Sequence, residues 1–203
     1  MNKEHIVLLI LGRTASGKDT LVNKLCERTG LRPIISYTTR ERRVNEGDTH
    51  IFISDKEYKE LEDSGRIATY TQIGQYKYCC TVDQLYESDV YVIDPIGVQN
   101  LRKLNLPNLR LVTVYINTPD DVRKERALSK RGDDRLTFMK RDMVERDQFR
   151  AMLRNADFDY SISNINVGRA YSVLRWVATV EGLWQQRDKE GTMKDEQNNS
   201  IYL

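Results

Sequence analysis

His5-Ile6-Val7-Leu8-Leu9-Ile10-Leu11-Gly12-Arg13-Thr14-Ala15-Ser16-Gly17-Lys18-Asp19-Thr20-Leu21 is the stretch that decides the fold. Its unbroken apolar run reads as a strand buried on both faces. The Gly-x-x-x-x-Gly-Lys string that follows reads as a loop wrapping a polyphosphate with inward-pointing N–H groups, where a Cβ at Gly12 or Gly17 would obstruct the turn and the close approach. Lys18 adds a mobile positive charge. Leu21, Val22 and Leu25 fall at helical spacing over 20–28, so the loop opens a helix whose positive N-terminal end faces the phosphates. Gly12, Arg13, Thr14, Ala15, Ser16, Gly17, Lys18, Asp19 and Thr20 are therefore the candidate nucleotide-binding set. Asp19 stands where a hydroxyl usually follows Gly-Lys, and its carboxylate makes it the candidate Mg²⁺ ligand.

The bulk properties narrow the rest. The chain's 203 residues can bury one sizeable core. Its 32 basic and 30 acidic residues leave a formal charge of +2, too balanced for a general binder of nucleic acid or membrane surfaces. Three cysteines, Cys26 and the adjacent pair Cys79-Cys80, form neither a disulfide framework nor zinc-ligand spacing, which suits a reducing cytoplasm. No apolar stretch approaches a membrane span, and the N-terminus enters a strand without the regions of a signal peptide.

Outward from the loop, strands alternate with helices. Pro33–Tyr37 reads as a short strand running into Thr38-Thr39-Arg40-Glu41-Arg42-Arg43, whose arginine forks match phosphate oxygens. Ser54 with Glu57 reads as a capping box, and 67–78 as two antiparallel strands joined near Gly74-Gln75. Thr81 caps a brief helix. Asp89–Asp94 is a second buried strand, ending in a carboxylate before Pro95, and Leu111–Ile116 a third, leading to a helix with Thr118 as N-cap and Pro119 in its first position. That helix breaks over 130–135, and another over 138–155 carries Arg141, Arg146, Arg150 and Arg154, an arrangement that suits a lid. Asp159–Ser163 is a last strand and 167–184 a last amphipathic helix. The pattern predicts an α/β fold with a mostly parallel sheet flanked by helices.

In this order, the segments resemble the guanylate kinase family of P-loop nucleoside monophosphate kinases almost to Leu183. Gly12–Thr20 resembles its ATP loop, and Ser36-Tyr37-Thr38-Thr39-Arg40-Glu41-Arg42-Arg43 its acceptor-phosphate segment. Tyr76-Lys77-Tyr78-Cys79-Cys80 falls at its Tyr-Tyr-Gly-Ser element, Asp94-Pro95-Ile96-Gly97 at its Asp-x-x-Gly strand end, Lys130-Arg131-Gly132 at its lid start, and Asn164 at its adenine-side loop. The resemblance implies phosphoryl transfer from ATP, with Mg²⁺, to a nucleoside monophosphate, GMP or dGMP. Lys18, Arg40, Arg131 and Arg141 would be catalytic, with Arg135 and Asn164 on the ATP side. Ser36, Arg40, Arg43, His50, Thr69, Tyr78, Cys80 and Asp94 would bind the acceptor, Thr69 standing where the family carries a base-reading glutamate and Cys80 where it carries a hydroxyl. It further implies a P-loop NTPase-type core over 1–34, 81–126 and 156–184, a β-rich acceptor-binding insertion over 35–80 and a helical lid over 127–155. Together these make one domain over 1–184 with a polar tail over 185–203, as a monomer or homodimer whose partners are small molecules, with no nucleic acid and no membrane. Asp19 and the His50-Ile51 pair also resemble ribose 1,5-bisphosphate phosphokinases, which act on a sugar phosphate. Non-catalytic guanylate-kinase-like modules, which bind phospholigands, share the fold but lose the ATP loop.

Overall fold

A computed structural model describes residues 4–42 and 50–185. Arg43 and the polar tail from residue 186 onward lie outside the described residues.

The central strand β1, His5–Leu11, sends alternate side chains into two layers, as the period of two in a strand requires. Leu8 and Ile10 pack in one core with Leu21, Val22 and Leu25 of helix α1, Lys18–Thr29. Val7, Leu9 and Leu11 pack in a second core with Leu85, Tyr91, Ile93, Val98, Leu101, Phe149 and Met152. Each such side chain fully withdrawn from water contributes about 1.5–3 kcal/mol, so a charge introduced on either face of β1 would break the fold.

Between α1 and the next core strand lies a small second sheet with one helix. It contains β2 (Tyr37–Thr38), β3 (Ile51–Phe52), α2 (Asp55–Asp63), β4 (Ile67–Ile73) and β5 (Tyr76–Thr81). Its order is β3-β2-β5-β4, with β2 and β3 parallel and the other pairs antiparallel. The β4–β5 hairpin turns at Gly74, which takes φ 61°, a left-handed conformation cheap only for glycine. Ser54 and Glu57 close the expected capping box on α2, and Thr81 with Gln84 closes one on α3, Val82–Glu87.

The chain then returns to the core through β6 (Val90–Val92), α4 (Pro95–Lys103), β7 (Leu109–Asn117) and α5 (Asp120–Glu125). A π-helical turn over Arg126–Lys130, α6 (Arg135–Arg154), β8 (Tyr160–Ser163) and α7 (Val167–Val180) complete it. The main sheet is β6-β1-β7-β8, parallel throughout, flanked by helices as expected for this α/β class.

Three local expectations are corrected. Thr118 does not cap α5: Pro119 occupies the N-cap, and the Thr118 hydroxyl donates elsewhere. The segment from Pro33 to Tyr37 is not one continuous strand: it bridges to Val90 at Pro33, where the Ile34 N–H donates to Val90, and then joins the second sheet at β2, and proline offers no ladder N–H of its own. Finally, α7 ends at Val180, and the chain turns at Gly182, φ 77°, to lay Trp184 against the first core.

Candidate functional site

The loop after β1 is organised around one carbonyl. Ser16 C=O accepts from Asn164 Nδ2 at 2.7 Å, from Thr118 Oγ1 at 3.0 Å and from Arg126 Nη1 at 3.3 Å. These donors come from the end of β8, the end of β7 and the π-helical turn, so parallel strand ends converge on the loop as the α/β switch-point rule predicts. Asn164, expected on the ATP side, thus holds the loop itself. Gly12 and Gly17 are both required. A Cβ at Gly12 would meet Ser16 Oγ at 2.5 Å and the Ile116 carbonyl at 3.2 Å; one at Gly17, φ +84°, would meet Asn164 Nδ2 at 2.6 Å. Ala15 takes φ 59°, a conformation that costs a non-glycine residue about 1 kcal/mol or more.

Arg13 was expected among the nucleotide ligands, but its guanidinium is committed elsewhere. It pairs with Asp120 Oδ1 at 3.0 Å and Asp142 Oδ1 at 2.7 Å. Arg123, only 1% exposed, pairs with the same two atoms at 2.7 and 2.6 Å and donates to the Thr14 carbonyl at 3.1 Å. Two arginines and two aspartates therefore tie the loop to α5 and α6. Asp120 is exposed, but Arg123 and Asp142 are buried, and removing either of these two costs about 3–5 kcal/mol, because it strands the other's charge.

Lys18 and Asp19 open α1 with the Lys18 Nζ 4.0 Å from Asp19 Oδ2; Asp19 and Thr20 are exposed. Arg131, at the lid start, donates to Thr14 Oγ1 at 3.3 Å and pairs with Asp133, whose hydrogen bonds hold the guanidinium above its ordinary value. Arg135 and Arg141 lie exposed on α6. Glu145, from the same helix, accepts the Thr14 backbone N–H.

On the acceptor side, four of the expected residues come together. Ser36 Oγ and His50 Nδ1 are 3.0 Å apart, the His50 and Tyr78 rings are 5.5 Å apart, and Arg40 Nε donates to the Tyr78 hydroxyl at 3.2 Å. Arg40 and Arg42 lie over the Phe52 ring at 5.5 and 4.6 Å. Asp94 caps α4, accepting from Gly97 N at 2.9 Å and from Thr71 Oγ1 at 2.5 Å.

Thr69 and Cys80, expected to bind the acceptor, are packed inside. A register shift between Ile67 and Thr69 turns both Ala68 and Thr69 inward, and the Thr69 hydroxyl donates to Gly97 C=O at 3.2 Å. Cys80 pairs opposite Thr69 and is fully buried in the second core beside Tyr91; burial pushes its thiol up to about 12. Sequence reasoning missed Thr71, Thr118, Arg123, Arg126, Asp142 and Glu145. The available signal was the 4-3-4-3 spacing of Phe138, Asp142, Glu145, Phe149 and Met152, which places two carboxylates on the seam that α6 turns toward the core.

The parallel sheet flanked by helices, with the loop between its central strand and α1, defines an α/β fold of the P-loop NTPase type. The family model described as guanylate kinase matches residues 4–179. The guanylate kinase of Wolbachia sp. subsp. Brugia malayi is 27% identical over 180 residues, covering 82% of this chain and 92% of that protein. That of Geobacter metallireducens is 28% identical over 190 residues, covering 89% and 91%. The crystal structure of guanylate kinase from Anaplasma phagocytophilum shares the fold at a TM-score of 0.63 and 22% identity, covering 89% of this chain and 88% of that one. The chain belongs to the guanylate kinase family and is a nucleoside monophosphate kinase.

Proposed function

We propose that the protein moves the γ-phosphoryl group of ATP to GMP or dGMP, giving ADP and the nucleoside diphosphate. The observation that carries this reading is the family match over residues 4–179 on a chain that keeps Gly12, Gly17 and Lys18. In this reaction an acceptor phosphate oxygen attacks the γ-phosphorus as its bond to the ADP oxygen breaks, and charge spreads over the transferring oxygens. A phosphate oxygen needs no general base, so the protein's task is positioning and charge neutralisation. Lys18 and the loop N–H groups hold the donor phosphates. Arg40, Ser36, His50 and Tyr78 hold the acceptor phosphate, joined by Arg43. Arg131, Arg135 and Arg141 close over the transferring group, and Asp94 accepts from the base.

Asp19 suits Mg²⁺. It is an exposed oxygen donor beside Lys18, and this hard cation binds one or two carboxylates together with substrate phosphates. Bound there, the cation would offset phosphate charge.

An ADP-release assay with GMP, dGMP, AMP, IMP and ribose 1,5-bisphosphate tests the reading. Turnover of GMP or dGMP is expected. Turnover of ribose 1,5-bisphosphate alone would replace it with the sugar-phosphate reading, and turnover of none would overturn the kinase reading.

A further inference from the structure

Glu145 is a half-buried carboxylate with no part in the reaction above. It sits on the seam of α6 three residues after Asp142 and reaches the loop, where it accepts the Thr14 N–H. The cations around it are unequally committed. Arg13 and Arg123 are each paired with both Asp120 and Asp142, two charges against two. Arg131 is paired with Asp133, and on α6 Arg146 leans toward Asp142 at 3.4 Å while Arg141 is exposed. Lys18 is within electrostatic reach of Glu145 and 4.0 Å from Asp19. The cation meant for phosphate thus already lies beside the Asp19 carboxylate and in the field of Glu145, and one loop N–H already has an anionic acceptor.

We propose that Glu145 is a positioning residue that opposes nucleotide binding, standing in for a phosphate oxygen on the Thr14 N–H and as a counter-charge to Lys18, so that α6 docking and ATP phosphates compete for the loop. The proposal rests on the reading of the loop as the ATP site. Its sign follows from charge. Bringing phosphates beside a low-dielectric carboxylate is unfavourable, and neutralising that carboxylate removes the penalty. Burial already pushes the Glu145 carboxyl above its ordinary value, and phosphate charge pushes it the same way, so nucleotide binding and protonation favour each other.

Glu145→Gln keeps an oxygen for the Thr14 N–H and drops the charge. Titration of the full-length protein with MgATP should give a Kd about tenfold tighter in this variant near pH 8, as expected for one like charge removed at close range. The gap should narrow as the pH falls into the acid range and the wild-type carboxyl, raised by burial, takes up its proton. Glu145→Ala, which removes the charge without keeping the hydrogen bond, should also tighten binding. Equal or weaker MgATP affinity in both variants, or a gap independent of pH, overturns the proposal while leaving the functional reading intact. A wild-type protein that binds no MgATP would overturn both.

Discussion

On the proposed function, the donor loop from Gly12 to Lys18 and the acceptor cluster of Ser36, Arg40, His50 and Tyr78 are both phosphate cradles, built in opposite ways. The loop is consecutive backbone, folded by two glycines and pinned at one carbonyl by three donors. The acceptor cluster is made of side chains from separate segments, held on strands as short as Tyr37–Thr38 and Ile51–Phe52. A backbone cradle is specified locally, and losing one of its pins leaves two. A side-chain cradle depends on each pairing across the second sheet, so its members should fail singly.

The contrast can be broken in order of expected effect. Lys18→Met should lower kcat by roughly a thousandfold, the scale for removing a preorganised charge from a transferring group, with circular dichroism and Tm close to wild type. A large loss of Tm would mean that Lys18 is holding the loop rather than the phosphates. Arg40→Leu should cost about a hundredfold in kcat/KM for the monophosphate while leaving the KM for ATP near wild type, because its partners are Tyr78 and the Glu41 carbonyl on the acceptor side. An equal rise in both KM values would merge the two cradles into one. Thr69→Val should destabilise the protein by about 1 kcal/mol in denaturant titrations, stranding the Gly97 carbonyl, and leave the acceptor KM unchanged. A changed KM with intact stability would return Thr69 to the acceptor surface.

What the sequence disclosed follows the same division. The strand into β1, the loop, the α1 stripe and the capping boxes at Ser54 and Thr81 are local patterns, and the structure has them where the residues put them. The pairing of the Arg13 side chain was not legible, because its partners, Asp120 and Asp142, lie 107 and 129 residues away. The burial of Thr69 and Cys80 was not legible, because strand alternation gives the facing of a side chain only where the register is regular, and a shift at Ile67–Thr69 breaks it. Thr118 looked like a cap because its local context before Pro119 fits one. Its actual acceptor, Ser16, comes from across the sheet.

The central claim, transfer of a phosphoryl group from ATP to a guanine nucleotide, is tested most directly by following γ-labelled ATP in the presence of GMP and Mg²⁺. The label should appear in the β-phosphate of GDP in step with ADP formation, and Lys18→Met should slow its appearance by roughly a thousandfold. Label that stays in ATP, or is released only as inorganic phosphate, would contradict the claim.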